Sequence, residues 1–282
     1  MDWIRTINNA IEYMEEHLAD PITLEDIAGS VNLSVFHFHR AFSMLTEMSP
    51  AEYLRKRRLS QAASELANGD GKVIDIALKY GYETPESFTK AFTRFHGVSP
   101  MQAKKGSPIQ FMMKYTVRIS IEGGLIMKYR IEKWEPVDLL VHSETFHAET
   151  SDQEIPKFWD AYYADEEYRK IPGYLGVCAQ KKDGGDGFLY GIGCKASDVE
   201  GVPRGFEIIH LPEYTWAVFT CVGPMPKAIQ EMWEKIYREW LPVSDYELIP
   251  DYDIENYLPG DPDSQDYVSE ICIPVRRNRS AV

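Results

Sequence analysis

The sequence has little cysteine, and what it has is scattered. Cys178, Cys194, Cys221 and Cys272 include no C-x-x-C pair, which excludes a disulfide framework and a structural zinc site and leaves them as buried small hydrophobes. No apolar run approaches the roughly 18 residues of a membrane span. The opening MDWIRTINNAIEYMEEHL carries acids where a signal peptide carries lysine and arginine, so a cytoplasmic protein without membrane attachment is expected. Ser/His/Asp order, zinc spacing and a phosphate loop are all missing, so no motif announces an enzyme, a cofactor or a metal. A leucine-rich heptad helix is missing too, leaving monomer and dimer both open. Finally, positive charge is scarce in one part of the chain only. Residues 1–115 hold 13 Lys+Arg against 14 Asp+Glu, whereas 116–282 hold 17 against 30. The overall charge of −14 therefore belongs to the second part and does not exclude nucleic acid as a partner of the first.

What is present suits a soluble globular chain, with 44% hydrophobic and 26% charged residues among 282, long enough for two domains. The N-terminal part repeats. Asp26-Ile27-Ala28 returns as Asp75-Ile76-Ala77, Phe38/Ala41/Phe42 as Phe88/Ala91/Phe92, and Ser49-Pro50 as Ser99-Pro100. Each copy reads as two short helices and a turn, closed by Ser-Pro. Thr23 is an N-cap ahead of Glu25 and Asp26, and Ser34 caps the second helix of the first copy. Phe38, Ala41, Phe42 and Leu45, and in the second copy Phe88, Ala91, Phe92 and Phe95, follow the i, i+3, i+4, i+7 spacing of a buried stripe.

SVFHFHRAF at 34–42 could suggest a metal site. His37 and His39, however, project about 200° apart on a helix, so they cannot share a ligand. With the Phe38 stripe buried, the opposite face carries Phe36, Arg40 and Ser43 with His39 beside them. The matching face of the second copy carries Glu86, Lys90 and Thr93 with Thr89 beside them. One cation thus sits at the centre of each face, as reading two major-groove segments of duplex DNA requires. Between the copies AEYLRKRRLSQAASEL reads as a long helix whose Arg55-Lys56-Arg57-Arg58 run offers charge to phosphates.

These residues resemble the AraC/XylS family of bacterial transcription regulators over about residues 1–106. The most specific stretch is Asp75-Ile76-Ala77, Gly81-Tyr82, Phe88, Phe92 and Phe95-His96-Gly97-Val98-Ser99-Pro100. The resemblance implies an all-α domain with two helix-turn-helix units, promoter or operator DNA as partner, and RNA polymerase as a further one. Transferred by position, the candidate DNA contacts are Ser34, Phe36, His39, Arg40, Ser43, Arg57, Glu86, Thr89, Lys90, Thr93 and Arg94. Arg40 suits guanine O6/N7, Phe36 a thymine methyl and Glu86 cytosine N4, while Lys90 suits phosphate.

From Thr116 the texture changes to alternation. TVRISIEGG and LIMKYRIEKW suggest a hairpin about Gly123-Gly124, so residues 107–125 are expected to be a linker and a first hairpin strand, with FMMKY packing on a domain. A β-α-β-β order then occurs twice: VDLLVHSETF, IPKFWDAYYADEEYR, YLGVCAQ and FLYGIGCKA, then YTWAVFTCV, PMPKAIQEMWEKIYREWL, DIENYLP and VSEICIPV, with FEIIHL between. An α+β domain follows, an antiparallel sheet with helices on one side and the other side free to form a cleft.

Residues 126–282 are expected to form this domain, which over about 126–277 resembles the GyrI-like effector-binding domain through Gly223-Pro224, Trp233, Tyr237-Arg238-Glu239-Trp240-Leu241-Pro242, Ile254-Glu255-Asn256-Tyr257 and Glu270-Ile271-Cys272-Ile273-Pro274-Val275. The resemblance implies a glutamate among aromatics that receives cationic, flat or amphipathic small molecules. Strand alternation makes Glu270 the leading candidate, pointing away from the helices into the cleft among Tyr190, Trp216 and Tyr257, with Glu255 second. Glu270 could instead pair with a nearby arginine. Trp233, Tyr237 and Trp240 fit core spacing better than a pocket. The expectation is an effector-controlled transcription regulator. The competing readings are a small-molecule hydrolase using Glu270 as general base, and an acidic protein-binding module.

Overall fold

A computed structural model describes residues 3–69, 71–118, 127–181 and 187–277, which gather into two compact units. The helical unit is Ile4–Asn32 with Thr46–Arg118. The sheet unit contains Trp3, Leu33–Leu45 and the described chain from residue 127 onward. The helices up to residue 118 are α1 (Trp3–Glu16), α2 (Leu24–Ser30), α3 (Val35–Thr46), α4 (Pro50–Ala67), α5 (Val73–Lys79), α6 (Pro85–His96) and α7 (Pro100–Lys104). Among the described residues no helix is long and apolar enough to cross a membrane.

In the helical unit, Thr23 Oγ1 accepts from the Asp26 amide at 3.2 Å while Asp26 accepts from the Thr23 amide at 2.9 Å, a reciprocal cap that starts α2. The Ser-Pro pairs, expected to close each copy, instead open the next helix. Ser49 and Ser99 cap α4 and α7, with the proline in the first turn, where its missing N–H is no loss. α6 ends on Gly97 at φ 75°, a left-handed cap. Phe88 and Phe92 are fully buried, and Glu86, Thr89, Lys90, Thr93 and Arg94 are all exposed on the rest of α6.

Arg57 corrects its expected role at phosphates. Its side chain is only 5% exposed and grips Glu15 through Nε at 2.7 Å and Nη2 at 2.6 Å. It also donates to the carbonyl of Met112, and Tyr53 Oη adds a bond to Glu15 at 2.8 Å. Burial pushes the Glu15 carboxyl up, but the bonds from Arg57 and Tyr53 and the Arg57 charge hold it below the usual range. Arg58 likewise turns inward, donating to the carbonyls of Leu18 and Asp20 at 2.8 and 2.6 Å. The chain after α7 is strapped down rather than loose: Met112 bonds Ser60, Tyr115 bonds Tyr53, and Asn8 bonds the Val117 backbone in both directions at 2.9 and 3.0 Å. Residues 116–118 form no strand. The Gly123-Gly124 turn lies outside the described residues, as does all but the last residue of the glycine-rich turn at 183–187.

The sheet unit is built on β1 (Tyr129–Trp134), β2 (Val137–Phe146), β3 (Leu175–Gln180), β4 (Phe188–Lys195), β5 (Glu207–Leu211), β6 (Tyr214–Val222), β7 (Tyr246–Leu248), β8 (Tyr252–Tyr257) and β9 (Val268–Arg277). The strands run in the order β1-β6-β9-β8-β3-β4-β2-β5, with β7 added to β9, and every pairing is antiparallel. α8 (Ser151–Ala164) follows β2. α9 (Lys227–Lys235) follows β6 and continues into a π-helical turn, Ile236–Trp240. β7 was not foreseen; three residues are too few to show a period.

Register assigns each side chain to a face. Ile254 lies opposite Cys272, and Glu255 opposite Ile271. Leu139, Val177, Trp216, Val218, Ile254 and Cys272 belong to one buried apolar cluster, with Trp134 stacked on Trp216 at 4.6 Å. The face expected to open as a cleft is therefore packed with its own core. The other face meets the helices, and a second cluster there joins Phe146, Phe158, Tyr162, Phe188, Tyr190 and Phe36.

Candidate functional site

On β8, Asp253 and Glu255 are two residues apart and so point to the same, helix-facing side about 7 Å from each other along the strand. Glu255 Oε2 accepts from Tyr257 Oη at 2.8 Å and Tyr190 Oη at 3.0 Å, and Oε1 accepts from Trp233 Nε1 at 3.1 Å. Trp159 Nε1 donates to Tyr190 Oη at 3.0 Å, which fixes the phenol as a donor toward the carboxylate. Burial, reinforced by the Glu255 charge, pushes both phenols well above their ordinary values, so they remain protonated donors. Glu255 has three neutral donors and, among the described residues, no ion-pair partner.

A glycine makes this geometry possible. A Cβ at Gly176, the register partner of Glu255, would lie 2.2 Å from Tyr190 Oη and 3.3 Å from Glu255 Oε2.

Around Glu255 lies a cavity of about 1130 Å³, the size of a site for a small organic molecule. Tyr190 and Tyr257 form its floor, α8 contributes Trp159 and Tyr163, and α9 contributes Ile229 and Trp233. A further wall is α3, through Phe36, His39, Arg40, Ser43 and Met44.

This wall is the face of α3 that sequence reasoning expected to be open. Ser34 and Phe36 are each 6% exposed, and the Phe36 ring packs on Phe188 with centroids 4.2 Å apart. The Arg40 guanidinium is 4.0 Å from the ring centroids of both Phe36 and Trp233, and its Nη1 is 3.3 Å from Asp253 Oδ2. Asp253, 2% exposed, also meets His37 Nε2 at 3.2 Å, and His37 Nδ1 is 2.5 Å from Ser34 Oγ. His39 Nε2 and Ser43 Oγ are buried without a hydrogen-bond partner among the described residues. Burial lowers His39 to a pKa of about 4, so its imidazole is neutral near pH 7.

Of the five expected effector residues, the structure brings Glu255, Tyr190 and Tyr257 together and leaves two elsewhere. Glu270 is bound to Arg130 Nη1 at 2.7 Å and Asn256 Nδ2 at 3.1 Å. It lies opposite Asn256 in register, hence on the sheet face away from Glu255. Trp216 is fully buried in that opposite face. Trp233, expected in the core, lines the cavity. Trp159, Asp253 and His37 also stand here, and none was among the expected effector residues: the sequence offers only an aspartate two residues before Glu255, a tryptophan in a helix that otherwise reads as core, and a histidine set apart from His39 by helical spacing.

Comparison with known proteins places these features. The family described as integron-associated effector binding protein matches residues 130–275, just over half of the chain. The chain belongs to this family. The family match takes in β2 to β8, nearly all of β1 and β9, and α8 and α9 around Glu255. A helix-turn-helix domain family matches residues 27–106, and the double unit there is of AraC type. The HTH-type transcriptional regulator YbfP of Bacillus subtilis is 38% identical over 116 residues, 41% of this chain and 38% of that protein. The HTH-type transcriptional activator AarP of Providencia stuartii is 37% identical over 94 residues, 33% of this chain and 70% of that one. The match thus spans well under half of the first relative's length. A solved protein bound to tetraphenylphosphonium is 24% identical, covering 53% of this chain and 94% of that one with a TM-score of 0.46.

Proposed function

We propose that this protein is a DNA-binding transcription regulator whose effector is a small organic cation with apolar or aromatic bulk, held at Glu255. The observation that carries the reading is the carboxylate itself. It is tied by three neutral donors, has no cation of its own among the described residues, and stands among aromatic rings in a cavity large enough for a ligand. A charge so placed favours a cation through direct attraction and through the faces of Trp and Tyr, and disfavours neutral and anionic molecules of the same shape. DNA is read by α6 through Glu86, Thr89, Lys90, Thr93 and Arg94, and by α3 through Phe36, His39, Arg40 and Ser43 once its face is available. RNA polymerase is the partner through which binding becomes output.

Tetraphenylphosphonium serves as the probe, with neutral triphenylphosphine oxide as its control, each titrated against the tryptophan fluorescence of the full chain. Wild type should bind the cation at least about tenfold more tightly than the neutral control, and Glu255→Gln should remove most of that preference. Equal affinity for both probes, or a preference untouched by Glu255→Gln, rejects the cation reading. Selection of bound duplexes from a random pool tests the DNA side. Two short elements about 10 base pairs apart are expected if both helices read the duplex.

A further inference from the structure

We infer that Arg40 of α3 occupies the effector unit as a built-in substitute for the ligand, so that a cation entering at Glu255 releases the α3 face for DNA. The inference rests on the effector reading above and adds to it the means by which occupancy controls DNA reading.

Four observations meet here. First, Asp253 and Glu255 are neighbouring carboxylates on one face of β8. α3 supplies Arg40 and His37 to the first, while the second has neutral donors only. Second, the Arg40 guanidinium lies 4.0 Å from the rings of both Phe36 and Trp233 with a carboxylate at 3.3 Å. That is the environment a ligand cation would seek. Third, Trp233 is shared, since its ring lies under Arg40 while its Nε1 binds Glu255. A second cation on that indole would repel the guanidinium across a few ångströms. Fourth, the docked helix is imperfectly satisfied. His39 Nε2 and Ser43 Oγ are buried without partners among the described residues, and such groups regain hydrogen bonds with water or nucleic acid when uncovered. Docking of α3 is therefore balanced by opposing terms, as a reversible contact requires.

The same side chains cannot face the cavity and a major groove at once. The ligand and DNA therefore both favour the undocked helix, and each should tighten binding of the other by the same factor.

The test uses the full chain, tetraphenylphosphonium, and a duplex recovered by the selection above. Hydrogen exchange of the α3 amides should speed up about tenfold at saturating probe, with a comparable gain in DNA affinity, and the duplex should tighten probe binding equally, within the range such coupling spans. Asp253→Asn, which weakens the hold on Arg40 without touching the DNA-facing atoms, should raise α3 exchange and DNA affinity in the absence of probe and blunt the response to it. Probe that binds, quenches tryptophan and leaves α3 exchange and DNA affinity unchanged overturns the inference while sparing the effector reading. So does probe that slows α3 exchange, which would make α3 a fixed wall. Failure of the probe to bind removes the effector reading and this inference with it, whereas probe that binds while Asp253→Asn leaves α3 exchange and DNA affinity unchanged removes the inference alone. If Asp253→Asn does not fold, exchange in the wild-type chain with and without probe decides the matter.

Discussion

α3 and α6 are equivalent helices of one internal repeat, yet one has its polar face covered and the other has it exposed. Both bury the same stripe, Phe38 and Phe42 in α3 and Phe88 and Phe92 in α6, all fully buried. The opposite faces differ at each paired position, but only one exchange sets an apolar side chain against a polar one. Where α6 has Glu86, α3 has Phe36, and Phe36 is the residue seated among Phe146, Phe188 and Tyr190. A helix with apolar side chains on two faces needs two apolar neighbours, and a helix with one does not. A single aromatic in an otherwise polar face thus marked the copy that has a second partner.

That contrast can be broken in several ways. The largest effect is expected on the side of α6, whose neighbouring helix α4 is anchored by the Glu15–Arg57 pair. Arg57→Ala leaves a carboxylate buried and should cost about 3–5 kcal/mol in chemical denaturation. The pair also predicts an acid limb: the Glu15 pKa is depressed in the folded state, so its contribution is present above the unfolded carboxylate pKa and lost as pH falls through the folded value. Next, Phe36→Glu makes α3 resemble α6. Removing a buried ring costs about 3–5 kcal/mol of the docked arrangement, and α3 amides should then exchange as fast as those of α6.

Gly176→Ala acts on the cavity floor instead. The added methyl displaces Tyr190 from Glu255, with an expected cost of about 1–3 kcal/mol and weaker probe binding, while α6 stays as it is. The smallest effect is expected from acid. The folded pKa of His39 is lowered to about 4, below its unfolded value of about 6.5. The unfolded or undocked state then binds the extra proton, so docking of α3 weakens progressively as pH falls from about 6.5 toward 4. Exchange measured across that window should rise in α3, and His39→Gln should flatten the response.

Much of the architecture was legible because it is periodic. The repeat, the buried stripes, the long α4 and strand β2 at 137–146 all follow from spacing alone. The role of Arg57 was not legible, because a basic run looks the same whether its members face phosphate or a carboxylate 42 residues earlier. The α3 face was not legible either, since helical spacing separates two faces without saying what covers the second.

The two glutamates show where this boundary falls. Alternation along β8 and β9 determined by itself that Glu270 shares a side with Cys272 and opposes Ile271, and that Glu255 opposes Ile254. Only the tertiary structure decided which side carries the cavity. It matched Asn256 to Glu270 and Glu255 to Ile271 across the strands, closed the Cys272 side into a core, and placed α3, α8 and α9 over the Glu255 side. Period-two geometry is local and set by the backbone of each strand. The choice of face depends on the apolar area that distant segments can bury together, a quantity no single strand contains.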